Sequence, residues 1–281
     1  MTTLTVLGAG WLGKPLALHL QALGHTVFAS KTTEQGVEEL TRHGLNGFKL
    51  NLQPNNCSLA DTLNEQACEV LIVAFPPGLR SDSKGKDYAD KWLCLVSQLK
   101  LTKIKKVIMV SSTSVYPNIA QECIEEDATY QLSQQSERFS DGAQQILKAE
   151  QHLIDSGINY CIVRCSGLMG PNRHPARFVR HLKVVSQSAP ANMIHLDDVI
   201  GAIEFSIEAN GNMVVNATTP NTVSKAVFYK HAIDSTSARH QLPTLIEAPD
   251  KKILASKLVG LGYQFKYQHI IEALDSIPYS E

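Results

Sequence analysis

The feature that most constrains this chain is the run Gly8-Ala9-Gly10-Trp11-Leu12-Gly13, set between a short apolar stretch, Leu4–Leu7, and an amphipathic one, Leu12–Leu23. A GxGxxG spacing alone says little. Between a strand and a helix it has a mechanism: Gly8 permits a tight turn, Gly10 lets a pyrophosphate approach the backbone, and Gly13 lets the helix pack on the sheet. The helix N-terminus then offers N–H donors and the positive end of its dipole to the phosphates. Such an opening predicts a βαβ unit that binds a dinucleotide, with Trp11 and Leu12 part of the binding loop.

The N-terminal half repeats this rhythm. Apolar strands are predicted at 26–29, 47–52, 70–75, 106–110 and 160–164, separated by helices at 34–43, 58–67, 88–99 and 140–155. Continuous apolar strands alternating with helices imply a parallel sheet covered on both faces. Right-handed crossovers make it a Rossmann-type, doubly wound α/β fold. Beyond residue 165 the pattern loosens into a Gly/Pro/Asn/Arg-rich loop at 167–175, helices at 177–185, 198–208, 224–233 and 251–259, and a strand at 213–216. The predicted organisation is a nucleotide-binding domain, 1–165, and a smaller, interleaved α/β substrate lobe, 166–281.

Composition removes several function classes. With 26 Lys+Arg against 27 Asp+Glu the net charge is −1, so no global field draws the chain to nucleic acid or an anionic membrane, and no basic stripe with interleaved aromatics appears. There is no run of 18 apolar residues and no leader-like segment, so the chain reads as neither secreted nor membrane-spanning, and the cytoplasm is the expected location. The six cysteines (57, 68, 94, 123, 161, 165) form no CxxC pair and no metal-ligand spacing. They read as small buried hydrophobes of a reducing compartment, and no metal site is expected.

Cofactor choice depends on the end of the second strand, Ala29-Ser30-Lys31-Thr32-Thr33. A carboxylate there would accept from the ribose 2′-OH and favour NAD. None occurs before Glu34, whereas the hydroxyls of Ser30 and Thr32 and the Lys31 ammonium suit a 2′-phosphate. NADP is therefore the expected cofactor, with NAD the alternative. Phe75 and Pro76 after the fourth strand, and Ser111 and Ser112 after the fifth, are expected to border it, because ligands bind at the carboxyl ends of strands in open α/β sheets. Trp11 is read as packing beside that crevice.

Five segments carry a family resemblance: the glycine loop, Val110-Ser111-Ser112-Thr113-Ser114-Val115-Tyr116, Arg164-Cys165-Ser166-Gly167-Leu168-Met169-Gly170-Pro171, Ile194-His195-Leu196-Asp197-Asp198-Val199, and Leu261-Gly262-Tyr263. In this order and spacing the chain resembles the extended short-chain dehydrogenase/reductases and, more narrowly, the NAD-dependent epimerase/dehydratase family of nucleoside-diphosphate-sugar epimerases. The resemblance implies an NAD(P)-dependent oxidoreductase or epimerase and a small-molecule substrate, a nucleotide sugar or another phosphorylated or carboxylated compound. It also implies a homodimer paired through helices flanking the sheet. The family's catalytic core is a Ser/Thr after strand five and a Tyr-x-x-x-Lys on one face of the next helix. There the Lys lowers the Tyr pKa, and the Tyr moves a proton during hydride transfer. The resemblance gives the Ser/Thr role to Ser112.

The chain departs from that pattern. The Tyr and Lys positions fall on Gly142 and Ile146, Lys148 comes two residues late on a different face, and none of the eight tyrosines has Lys four residues on. Proton transfer then needs a nonstandard acid/base, for which Tyr116, His174 and His195 are the candidates. Thr113, Arg164, Arg173 and His174 are expected on the substrate side, because two arginines and a histidine suit a phosphate or carboxylate. Asp197 reads as an N-cap, and His195 and Asp198 as ties between the lobes. The missing dyad keeps a second reading open, a non-catalytic NADP(H)-binding redox sensor.

Overall fold

A computed structural model describes residues 1–54, 58–78, 85, 87–236 and 241–279. The first stretch runs β1 (Thr3–Leu7), α1 (Gly13–Ala22), β2 (Thr26–Lys31), α2 (Glu34–Arg42), β3 (Asn46–Lys49), α3 (Ala60–Glu65), β4 (Val70–Val73), α4 (Tyr88–Leu99) and β5 (Lys106–Ser112). There follow β6 (Glu122–Cys123), α5 (Tyr130–Gln134), α6 (Asp141–Ile154), β7 (Tyr160–Cys165), β8 (Gly167–Met169), α7 (Ala176–Val179), β9 (Val184–Ser186) and β10 (Met193–His195). The chain closes with α8 (Leu196–Glu208), β11 (Met213–Ala217), α9 (Lys225–Asp234), β12 (Thr244–Ile246), β13 (Lys252–Ile253), α10 (Ser256–Gly260) and α11 (Ile270–Asp275).

Seven strands make one sheet in the order β11-β7-β5-β4-β1-β2-β3. β1 pairs in parallel with both β2 and β4, β2 with β3, and β4 with β5. This is the doubly wound Rossmann-like fold. Its order reverses between β1 and β4, the switch point at which such sheets bind ligands. The central strands are apolar because both faces are covered: all four residues of β4 are buried. α1 covers one face with Gly13, Leu16, Ala17 and Leu20, the i, i+3, i+4, i+7 spacing of a single helix stripe.

The chain divides into two compact units, Met1–Val115 with Thr129–Val163 and Ile203–Val214, and Tyr116–Ala128 with Arg164–Ala202 and Val215–Glu281. The first holds β1 to β5 and the helices α1 to α6. Its Lys106 is buried, and Nζ donates to the Ser206 carbonyl at 2.6 Å and also to that of Ala209, binding the negative end of α8. The second unit is built on three two-stranded parallel ribbons, β8–β10, β9–β12 and β6–β13. Its core includes Met169, Phe228, Ala232, Ile270 and Leu274.

The ribbons correct two predicted helices. The helix expected at 177–185 is a single turn, α7, because Val184 and Val185 pair with Thr244 and Leu245 instead. That expected at 251–259 begins only at Ser256, because Lys252 and Ile253 pair with Glu122 and Cys123. Strand partners distant in sequence here override a local helical period. Cys68, Cys123, Cys161 and Cys165 are buried thiols, while Cys94 is disulfide-bonded, unlike the reading of the cysteines as apolar filling. Cys57 lies outside the described residues. Among the described residues no helix is long and apolar enough to cross a membrane, and no three His, Cys, Asp or Glu side chains cluster as metal ligands.

Candidate dinucleotide site

The glycine loop is clamped between the ends of β2 and β4. Ala9 donates its N–H to the Ser30 carbonyl at 2.9 Å, and Gly8 donates to Ser30 Oγ at 3.0 Å. Gly8 has φ +92°, and a Cβ there would lie 2.9 Å from the Phe75 nitrogen. A Cβ on Gly13 would lie 2.3 Å from the Gly8 carbonyl oxygen, so only glycine lets α1 start this close beneath the loop. Gly10 differs: it is exposed, and a Cβ there would meet nothing within 4 Å. The loop is therefore tight where it packs on protein and open where a pyrophosphate would approach. No side chain caps the start of α1; with Lys14 donating its N–H to the Gly10 carbonyl at 3.1 Å and Pro15 having none, an anion would be met by the N–H groups of the loop that leads into the helix. These residues fit a dinucleotide.

At the end of β2 the three predicted contacts separate. Ser30 is buried, and its hydroxyl accepts from Gly8, so it braces the loop instead of meeting a 2′-phosphate. Thr32 is exposed and Lys31 half-buried. Lys14, just past the loop, donates to Glu39 Oε1 at 2.6 Å. That hydrogen bond and the charge of Lys14, followed by the charge of Lys31, hold the Glu39 carboxyl below its usual range. Lys14 thus pairs directly with Glu39, while the charge of Lys31 acts on the same carboxylate through space at the edge of the cradle.

Phe75 turns its ring to α4, edge-on to Tyr88 at 5.7 Å between centroids and tilted against Trp92 at 6.0 Å. Its backbone is what meets the glycine loop. Pro76 is exposed beside it, and Trp11 is half-buried in the loop with Leu12 buried after it. Ser111 and Ser112 point to opposite faces, as successive strand residues must. Ser111 is buried and donates to Glu150 Oε1 on α6 at 2.6 Å, so its hydroxyl serves the packing of α6 and not a cofactor. Ser112 Oγ accepts the Ser114 N–H at 3.1 Å and is only half-buried, and among the described residues its hydroxyl donates to no protein acceptor. Thr113 is buried in the single 3-10 turn that follows. On α6, Gly142 is half-buried and Ile146 is buried at the position where a lysine would stand.

The second unit changes the reading of most substrate-side candidates. Tyr116 is buried; its hydroxyl donates to Asn216 Oδ1 at 2.8 Å and accepts from Arg164 Nη1 at 3.0 Å, and burial raises its pKa. It is not placed as an acid/base. Arg164 is 3% exposed and donates also to the carbonyls of Glu125, at 2.9 Å, and Ala128, at 2.7 Å. Its guanidinium ties down the 116–128 segment instead of waiting for an anion. His174 is buried with its pKa lowered by desolvation; Nδ1 accepts the Ala176 N–H at 3.2 Å and the ring meets Tyr279 edge-on. Arg173 is half-buried, with its N–H on the Gly170 carbonyl at 2.9 Å.

His195 is likewise buried, its pKa lowered by burial, and it supplies the cap expected of Asp197: Nδ1 accepts the Asp197 N–H at 3.1 Å. Asp197 lies inside the first turn of α8 and pairs with Lys266 at 2.6 Å. Asp198 accepts from the backbone of Lys266, at 2.6 Å, and of Tyr267, at 3.3 Å. His195 and Asp198 therefore organise the second unit's own C-terminal segment. Three residues went unnoticed in the sequence. Glu150 continues the helical face of Gly142 and Ile146 at the same four-residue step. Gly201 makes room for the Tyr263 hydroxyl, 2.6 Å from where its Cβ would be, and Gly36 does the same for the Lys31 stem. A glycine within a helix is the only signal that could have exposed the last two.

Comparison with known proteins places the fold and the family. The NAD dependent epimerase/dehydratase family model matches residues 4–217. The chain is 33% identical over 274 residues to Protein YeeZ of Escherichia coli (strain K12), covering 95% of this chain and 97% of that one. Among solved structures it is similar to UDP-glucose 4-epimerase of Thermotoga maritima with UDP-glucose, at 17% identity and a TM-score of 0.77, covering 98% and 96% of the two chains. It is also similar to vestitone reductase of alfalfa, at 20% identity and 0.75 over 98% and 96%, and to Bordetella bronchiseptica WbmH in complex with NAD+, at 14% and 0.74 over 99% and 97%.

Proposed function

The chain belongs to the NAD-dependent epimerase/dehydratase family, and from that premise we propose that it binds NADP(H) on its first unit and acts as an oxidoreductase or epimerase-like enzyme on a small anionic substrate. The observation that carries this reading is the cradle itself: open at Gly10, uncapped at α1, and edged by Lys14 and Lys31 with no carboxylate at the end of β2. When bound, a nicotinamide cofactor gives or takes hydride. The chain's own part is to hold the pyrophosphate on the loop and a 2′-phosphate near Lys31, and to direct the Ser112 proton at the substrate's reacting oxygen. With Gly142 and Ile146 in the helix positions, α6 supplies no proton, and solvent water fills that role. An anionic substrate, such as the diphosphate of a nucleotide sugar, is supported by residues 156–196, which contain no Asp or Glu but include Arg173, Arg177, Arg180 and Lys183. The test is NADPH oxidation against a panel of sugar nucleotides and phosphorylated or carboxylated carbonyl compounds. Turnover that falls at least about tenfold in Ser112→Ala is expected.

A second reading has its own support: Tyr116, His174 and His195 are all buried in contacts within the second unit. Intact NADPH binding with no turnover of any substrate would reject the enzyme and leave a redox sensor. The sensor requires NADP and NADPH to bind with different affinities, and equal affinities would reject it in turn.

A further inference from the structure

Gly36 is the third residue of α2 and has an ordinary helical backbone, absent from the positive-φ glycines. Glycine is the poorest helix former after proline, so its place in this first turn needs a cause. The turn is already fixed by its cap, since Thr33 Oγ1 accepts the Gly36 N–H at 3.1 Å. What occupies the space of the missing side chain is Lys31. A Cβ on Gly36 would lie 3.0 Å from both Cβ and Cγ of Lys31 and 3.1 Å from its Cδ. Three consecutive stem carbons thus cross the bare backbone of α2. Glu39, three residues on and on the same helical face, is the carboxylate whose pKa the Lys31 charge helps to lower. The neighbouring Lys14 and Lys49 have direct carboxylate partners, in Glu39 and Glu34. Among the described residues Lys31 forms no such pair, so its ammonium is held in place by packing of the stem.

We infer that Gly36 is a specificity-determining residue: by leaving the first turn of α2 bare, it seats the Lys31 stem so that the ammonium meets the 2′-phosphate of NADP(H). The inference rests on the cofactor reading above. Any side chain at 36 displaces the stem and weakens NADPH binding, while NADH, which lacks the 2′-phosphate, is unaffected. The experiment is calorimetric titration of NADPH and NADH into the unaltered protein, Gly36→Ala, Gly36→Val, Lys31→Ala and the Gly36→Val/Lys31→Ala double variant, with thermal melting of each.

Lys31→Ala is expected to cost NADPH about tenfold to a hundredfold in affinity, the range for one charge-assisted contact, without touching NADH. Gly36→Ala falls part of the way while its melting temperature holds or rises, because alanine favours the helix. Gly36→Val approaches Lys31→Ala, and the double variant loses no more than Lys31→Ala alone, as two residues acting on one contact require. Full NADPH preference in both Gly36 variants, beside its loss in Lys31→Ala, would overturn the inference and leave the cofactor reading standing. Equal NADPH and NADH affinities in the unaltered protein would overturn the NADP reading, and the inference with it.

Discussion

The glycine loop of the first unit and the Arg164 network of the second use family-motif residues in opposite ways. The loop fixes itself through backbone contacts to β2 and β4, tight at Gly8 and Gly13, and keeps an open approach at Gly10 with the uncapped start of α1 behind it. Around Arg164, by contrast, the guanidinium donates to the Tyr116 hydroxyl and to the Glu125 and Ala128 carbonyls, and that hydroxyl donates on to Asn216 Oδ1. Both regions are rich in residue types that bind ligands. What distinguishes them is whether donors and acceptors remain once the unit has satisfied its own buried groups, as burial requires.

Substitutions can break that contrast, and the largest effect is expected at the loop. In Gly13→Ala the new Cβ meets the Gly8 carbonyl at a distance no real contact tolerates. Dinucleotide affinity should fall by about a hundredfold or more, because the helix start and the loop can no longer approach. Calorimetry on a variant shown to be folded checks this, and unchanged affinity would mean that the loop does not hold the ligand. Arg164→Ala should behave oppositely. It leaves buried carbonyls and the Tyr116 hydroxyl without their donor and should destabilise the protein by on the order of 3 kcal/mol in urea unfolding, while folded protein keeps its dinucleotide affinity. A stable variant with only a raised substrate KM would return Arg164 to the substrate.

Asp198 gives a smaller, pH-dependent effect. Burial is the largest cause of its shift and pushes its pKa up to about 6, against the hydrogen bonds from Lys266 and Tyr267 that favour the ionised form. A raised folded-state pKa means that its contribution to stability is fully present below the unfolded value near 4 and is lost as pH rises through about 6. Unfolding free energy should thus fall by about 1–3 kcal/mol across that window relative to Asp198→Asn; parallel pH profiles would contradict the assignment. Tyr116→Phe is expected to do least, about 1 kcal/mol of stability for one buried hydroxyl, with the pH profile of turnover unmoved. Loss of turnover at unchanged stability would reinstate Tyr116 as an acid/base.

The first unit was legible in the sequence because its determinants are local. A continuous apolar strand, a glycine turn and a 3.6-residue stripe each lie within about a dozen residues, and β1, α1, β2 and α4 stand within two residues of where the pattern puts them. The ribbons of the second unit were not, since β6 and β13 are two residues each and lie 130 apart in register. Side-chain roles were harder still. Ser111 and Ser112 are neighbours of one chemical type, yet strand alternation sends one to Glu150 and leaves the other half-open. The Arg164 donors look available in sequence because two of their acceptors, beside the Tyr116 hydroxyl, are backbone carbonyls, which no residue type reveals. Gly36 is informative only once the Lys31 stem is seen lying on it.

The central claim is that the loop holds a nicotinamide dinucleotide and that the edge beside it prefers the 2′-phosphorylated form. Equilibrium titration with NADPH, NADP, NADH and NAD, following Trp11 fluorescence and heat together, tests it most directly. The account predicts saturable binding with NADP(H) favoured over NAD(H), and a Trp11 signal that tracks the heat. Binding of none of the four would contradict it.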